Sequence, residues 1–283
     1  MAIKLAWQAG DSASAQSNPP AKFEHRDRPE ISFANVQKTY EAADGEVVAL
    51  ENVSFDVAKG EFVSVLGPSG CGKSTLMLLA AGLDKATAGA IQVAGRDVFR
   101  PITDIGIVFQ EHALYEWRSI LDNILLQAEI RRMPIAPIKA RALELLERTG
   151  LADFAKKLPH ELSGGMRQRA AICRALIHDP AILLMDEPFS ALDALTREQM
   201  RIDLEKLWLE HRPTVLFITH SIAEAVALSD RVVVMTARPG KVDDIIEIDL
   251  PRPRTKAVIA SPAFTAYVEG ITERFVSRGI IKY

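Results

Sequence analysis

The chain has 283 residues, of which 48% are apolar and 25% charged, close to the averages of soluble globular proteins and enough for one large domain or two small ones. These proportions exclude a mainly disordered, collagen-like or membrane-embedded protein. The 34 basic against 37 acidic residues leave a net charge of −3, so there is no global basic field for nucleic acid, which is not an expected partner.

Two cysteines, Cys71 and Cys173, give no disulfide framework and fit a reducing cytoplasm. No apolar run reaches the roughly 18 residues of a membrane-spanning helix. The start of the chain turns polar after position 7 and lacks the apolar centre of a signal peptide. The expectation is a chain that is neither exported nor membrane-spanning but free to dock onto a protein that is.

In chain order, 1–29 is rich in Ser, Ala, Asn, Pro and charge, without a sustained period, and is expected to be a disordered extension. Strands are expected at 31–36, 47–50, 53–57 and 61–66, with turn signals at Asp44, Gly45, Lys59 and Gly60. A glycine-rich turn begins at Gly67 and leads into a helix at 74–81 that stops at Gly82. Short strands follow at 91–93 and 104–109. The segment at about 112–162 carries helical runs and almost no strand, the clearest helix lying at 137–149 with Pro at its start and Gly150 past its end. Beyond it, a helix follows Ser163, a buried strand lies at 181–185, a long helix at 195–210, a buried strand at 215–218, a helix at 222–228 and late strands at 231–235 and 245–248. The alternation from Gly67 onward predicts an α/β core with a largely parallel sheet, and 112–162 reads as a helical insertion into it.

Three segments carry chemistry. Residues 67–74, GPSGCGKS, fit G-x-x-x-x-G-K-[ST] between a strand and a helix, the context that motif requires. The loop offers backbone N–H groups to phosphate oxygens and the helix points its positive end at them. Lys73 would neutralise β/γ-phosphates and the Ser74 hydroxyl would ligate Mg²⁺. The strand at 182–185 ends in Asp186 and Glu187. Beside a phosphate loop, Asp186 is the candidate Mg²⁺ ligand and Glu187 the group that orients or deprotonates an attacking water; the plain alternative is an acidic turn closed by Pro188. Ser163, Gly164 and Gly165 precede a helical run, forming either an ordinary capped helix or a second anion site. Two phosphate-binding helix starts with one carboxylate pair point to two chains, each lending its second site to the other's nucleotide.

With these residues in view, the sequence resembles the ATP-binding subunit of ATP-binding-cassette (ABC) transporters over about 30–240. Residues 67–74 resemble its Walker A loop, 182–187 its Walker B strand with the catalytic glutamate, and 162–166 its signature. The resemblance implies a P-loop NTPase with a largely parallel sheet core, an antiparallel β subdomain and a helical insertion. It also implies that Gly67, Pro68, Ser69, Gly70, Cys71, Gly72, Lys73, Ser74 and Thr75 cradle ATP. Tyr40 would stack on adenine, Gln110 would be the Q-loop glutamine and a third Mg²⁺ contact beside Ser74 and Asp186, Asp193 would lie in the D-loop touching nucleotide, and His220 would be the switch histidine. Each of these has a bland alternative: a solvated strand end for Gln110, a half-buried strand aromatic for Tyr40, a structural histidine at 220.

The middle of the chain is similar to importer subunits of the nitrate/sulfonate/taurine group, on 109–114, Trp117 and 162–168. Two residues depart from the pattern: Met166 stands where the wider family has Gln, and Tyr115 with Glu116 stand where this group has Leu-Pro. The implied organisation is an ATPase domain at 30–250 with a helical subdomain at about 112–162, and a tail at 251–283. The implied activity is ATP hydrolysis by a homodimer that energises a permease importing a small anion such as nitrate, sulfonate or taurine. A solute-binding protein would act through the permease, and the subunit would sit on the cytoplasmic face of the membrane. The rival class is a soluble cassette ATPase without a permease. The tail carries six basic residues against two acidic, a charge that suits either anionic lipid or a solvated surface helix. Cys71, among the glycines, suits either a redox-sensitive thiol or a small filler residue.

Overall fold

The computed structural model of the protein describes residues 29–42 and 45–281. The expected extension at 1–29 thus lies, but for its last position, outside the described residues, as do Asp44 and Lys282.

The chain opens with a hairpin of β1 (Ile31–Ala42) and β2 (Gly45–Val57), followed by β3 (Phe62–Leu66) and helix α1 (Lys73–Ala80). Strand β4 (Ala88–Val93) and the two-residue β5 (Arg96–Asp97) complete a four-stranded antiparallel sheet, in the order β2-β1-β4-β5. Along β2, Val53, Phe55 and Val57 are buried and Ser54 and Asp56 exposed, the period-2 pattern of a strand with one covered face.

The second sheet has six strands. Strands β6 (Ile105–Val108), β7 (Ile182–Asp186), β8 (Thr214–Thr219), β9 (Arg231–Met235) and β10 (Val242–Glu247) join β3 in the order β10-β9-β3-β8-β7-β6, and every pair except β10–β9 is parallel. All residues of β3, β7 and β8 are buried, as expected for parallel strands covered on both faces. Leu66 pairs with Thr219, Ile218 with Asp186, and Met185 with Val108. The carboxyl ends of these neighbouring strands are therefore offset by at most one residue, and Gly67, His220 and Glu187, each next past its strand, lie along one edge with Gln110, two residues past β6. Ligands of open α/β sheets bind at that edge.

Between β6 and β7 lie α2 (Ile120–Ile130), α3 (Ile135–Arg148) and α4 (Gly164–Leu176). Helix α3 starts two residues before the expected 137, because Pro134 in extended backbone serves as its N-cap and Pro137 is tolerated in the first turn. Gly150, at φ 69°, turns the chain away after it. Helix α4 shares one apolar cluster with α2, α3 and the sheet residues Val108, Leu183 and Met185, so the helical block continues past 162 and is fused to the sheet.

Helices α5 (Ala194–His211) and α6 (Ile222–Leu228) follow β7 and β8. The C-terminal segment forms α7 (Lys256–Ile259) and α8 (Pro262–Ser277), and Phe264, Ile271 and Phe275 of α8 are buried with Ala225 and Val226 of α6. The tail is thus a helix with one face packed on α6 and the other exposed. Arg252 pairs with Asp230 at 2.8 Å and Glu205 at 3.2 Å, Arg278 pairs with Asp243 at 2.6 Å, and Arg274 pairs with Asp244. Arg254 is 2% exposed and donates to the Val226 carbonyl at 2.6 Å. Burial, with Arg252 nearby, pushes its guanidinium pKa down to about 9. Most of the tail's described cations are thus paired within the protein, with the Arg274 and Arg278 side chains still 50% and 60% exposed.

Candidate functional site

The phosphate loop connects β3 to α1. Gly70 and Gly72 have φ of 74° and 95°, a region where L side chains are strained. At Gly72 a Cβ would also stand 2.6 Å from Leu50 Cδ2 and 2.8 Å from the Ala49 carbonyl oxygen. The glycine lets the loop lie against β2 while it opens α1. Cys71 is 1% exposed, its thiol is pushed up by burial, and its N–H donates to the Pro68 carbonyl at 3.3 Å. The side chain is packed inward, as the filler reading expects.

Lys73, 4% exposed, donates to the carbonyls of Gly67 at 2.9 Å and Pro68 at 3.0 Å. Its Nζ also lies 3.6 Å from Glu187 Oε1. The other oxygen of that carboxylate, Oε2, lies 2.9 Å from His220 Nδ1. Glu187 itself has φ 43°, costly for a residue with a Cβ and frequent at functional sites. The conformation is held by Glu187 N–H donating to the Ile218 carbonyl at 2.9 Å and by the Ser190 hydroxyl donating to the Glu187 carbonyl at 3.0 Å.

Asp186 is 7% exposed. Its carboxyl is pushed up by burial while a hydrogen bond from Ser74 pulls the other way. One oxygen, Oδ1, is buried with no hydrogen-bond partner. A buried acceptor left open costs about 1–3 kcal/mol, and a hard cation is the group an anionic oxygen beside a hydroxyl suits. Gln110 follows β6 in an exposed bend.

Tyr40 lies at the loop's flank. Its hydroxyl donates to Asp84 Oδ2 at 2.8 Å and lies 3.5 Å from the Thr75 hydroxyl, and the Lys38 ammonium sits 4.6 Å from its ring centroid. With 37% exposure it has a ring partly open to solvent.

Ser163 and Asp193 are helix caps. Ser163 Oγ accepts from Met166 N–H at 3.3 Å, and Asp193 Oδ1 accepts from Leu195 N–H at 3.1 Å and Thr196 N–H at 3.0 Å. Open space surrounds Gly164, whereas a Cβ on Gly165 would press Thr196 Cγ2 at 2.7 Å. The α4 start thus abuts the α5 start. Among the described residues, the hydrogen bonds and ion pairs joining Lys73, Ser74, Asp186, Glu187 and His220 do not include Ser163, Gly164, Gly165 or Asp193. Within one chain the expected residues fall into a phosphate-loop group and a separate capped-helix group.

The sequence model of the family described as ABC transporter matches residues 50–190. An ATP-binding protein of Brucella abortus is 48% identical over 84% of this chain and 90% of its own length. An aliphatic sulfonates import ATP-binding protein of Bacillus cereus is 41% identical over 89% of this chain and 98% of its own. The chain belongs to the ABC transporter ATP-binding family. The cassette is also similar to a solved dimeric bacterial ABC transporter cassette, with TM-score 0.70, 35% identity and coverage of 77% of this chain and 98% of that one. A dimeric cassette solved in a post-hydrolysis state with ADP and Pi has TM-score 0.69, again at 35% identity and the same coverage. The protein is an ABC-type ATPase, and ATP is its nucleotide.

Several residues of the cassette site escaped the sequence reading. Arg238 Nε donates to the Gly70 carbonyl at 2.9 Å, and a Cβ on Gly240 would stand 1.9 Å from the Cys71 carbonyl oxygen. The turn after β9 is therefore moulded onto the phosphate loop. Its Arg-Pro-Gly run was the available signal. Asp84, which holds Tyr40, carried none.

Proposed function

We propose that this cassette is the ATP-hydrolysing subunit of a membrane importer for a small anionic solute, with a sulfonate first among the nitrate, sulfonate and taurine class. The observation that carries the catalytic part is Glu187 held between Lys73 and His220, one residue past Asp186. In this reading the loop from Gly67 to Thr75 binds the phosphates and Lys73 exchanges its own-loop carbonyls for phosphate oxygens. Tyr40 stacks on adenine. Glu187 orients the attacking water and takes its proton, and His220 holds the far carboxylate oxygen. Ser74, Asp186 and Gln110 would hold Mg²⁺, which the open Oδ1 of Asp186 fits. When bound, the ion would neutralise charge on the β- and γ-phosphates.

The 41% identity to a sulfonate import subunit supports the importer and its cargo class, and the dimeric solved cassettes support a pair of chains. Ser163, Gly164, Gly165 and Asp193 then act on the partner's nucleotide, which explains their separation from Lys73 within one chain. ATP binds the closed pair better than the open one, so it shifts the population toward closure. The ATPase domain takes 30–250, and its helical subdomain at about 112–162 meets the permease on the cytoplasmic face of the membrane. A solute-binding protein delivers cargo from outside. No helix among the described residues is long and apolar enough to cross a membrane, and the permease supplies that part.

The test is ATP turnover and binding by the Glu187→Gln chain. Loss of a general base costs about 10²–10⁴-fold, so turnover should fall by that range while ATP still binds. Unchanged turnover contradicts the assignment. For the cargo, co-expression with its permease should give sulfonate uptake that Glu187→Gln abolishes; uptake unaffected by the substitution contradicts the coupling.

A further inference from the structure

Arg197 in the first turn of α5 and Glu224 in the first turn of α6 face each other, with Arg197 Nε 3.7 Å from Glu224 Oε1. Each is anchored to a segment of the site. Arg197 Nη2 donates to the Leu192 carbonyl at 3.0 Å and its backbone N–H to the Asp193 carbonyl at 2.9 Å, so it is fixed to the 190–193 turn that follows Glu187. The second oxygen of Glu224, Oε2, accepts from the Thr219 hydroxyl at 2.7 Å, and Thr219 Oγ1 in turn accepts from Ser221 N–H at 3.0 Å. His220 stands between those two residues. The backbone that carries its ring is thus flanked by a hydroxyl that Glu224 holds from one side and the Ser221 backbone from the other.

The acidic partner is the more shielded of the two, and burial pushes its carboxyl up. The Glu224 side chain is 12% exposed and Arg197 Nε is buried without a hydrogen-bond partner. A closing movement of roughly half an ångström would bring that nitrogen into hydrogen-bond range of Glu224, so the contact is able to respond to a small shift of either turn.

We infer that Arg197 and Glu224 are a positioning pair that fixes the His220 ring against Glu187 and ties that alignment to the 190–193 turn. The pair acts on the site through Thr219 and His220. This rests on the proposed roles of Glu187 and His220.

The test uses steady-state ATPase kinetics and thermal melts of the full chain. Glu224→Gln keeps an acceptor for Thr219 and removes the charge facing Arg197, and Arg197→Met removes the other charge. Each should lower kcat about tenfold with the KM for ATP within twofold of the parent and little change in Tm. The double variant should be no slower than the slower single, because both remove one interaction. Arg197→Lys, which keeps the charge, should retain severalfold more kcat than Arg197→Met. Parental kcat in both single variants, multiplicative losses in the double, or loss through KM in step with Tm would each overturn the inference. If Glu187→Gln abolishes hydrolysis and the pair variants behave as the parent, only this inference fails. If Glu187→Gln hydrolyses normally, the reading beneath it fails as well.

Discussion

His220 Nδ1 and Glu187 Oε2 lie 2.9 Å apart, although 33 residues separate them in the chain. The contact follows from register. Ile218 pairs with Asp186 across β8 and β7, so the residues next past each strand end are brought to the same edge. Glu187 is thereby oriented by His220 on one oxygen while Lys73 faces the other. A carboxylate held at both oxygens is a fixed acceptor, as a water-activating group needs to be.

Tyr40 tests the base-binding side. Base–aromatic stacking is worth about 1–3 kcal/mol by alanine substitution, so Tyr40→Ala should weaken ATP binding by roughly fivefold or more. Sequence alone makes Tyr40→Phe silent. The bond from the Tyr40 hydroxyl to Asp84 predicts a smaller but measurable loss, about two- to threefold. Nucleotide titration of both variants checks this, and Tyr40→Ala with parental affinity would return Tyr40 to a packing role.

Asp186 tests the cation. Asp186→Asn removes a buried carboxylate whose Oδ1 has no partner. The variant should need at least about tenfold more Mg²⁺ for ATP turnover, yet melt at the same or a higher temperature, because a strained functional group is exchanged for a neutral one. Melting curves and Mg²⁺ titrations are the measurements. A lower Tm with unchanged Mg²⁺ dependence would make Asp186 structural.

The strand ends, the phosphate loop and the Asp186–Glu187 pair were legible because each is a local string with its own physical reason. The Gly72 backbone demand and the buried run of β7 can be read without knowing any neighbour. What was not legible depends on partners far along the chain. Arg252 meets Glu205 across 47 residues and Asp230 across 22, so the cations of 251–283 read as surface charge until the fold supplies their acids. The Arg197–Glu224 contact needs the α5 and α6 starts to be adjacent, which β7 and β8 arrange. The early start of α3 at Ile135 depended on whether Pro134 or Pro137 would open the helix, and both are compatible with a first turn.

His178 gives a pH test. Burial, with Arg131 nearby, pushes its pKa down to about 4, below the ordinary value of about 6.5. Between those limits the unfolded chain binds a proton that the folded chain does not, so stability is complete above about pH 6.5 and falls as pH drops toward 4. Tm should drop by a few degrees between pH 7 and pH 5, and His178→Phe should flatten that slope. Identical slopes in the two proteins would contradict the assignment.

In the proposed dimer, one ATP lies between the phosphate loop of one chain and the Ser163 helix start of another. Cys71 and Cys173 are each 1% exposed, so an added surface thiol can be read against a quiet background. One preparation carries Ser69→Cys and the other Ser163→Cys, each with Glu187→Gln to retain ATP. They are mixed, oxidised with and without ATP and Mg²⁺, and run on a non-reducing gel. A covalent dimer should form in the mixture with ATP and Mg²⁺ and be absent without nucleotide and from either preparation alone. No covalent dimer in the mixture with ATP present would contradict it.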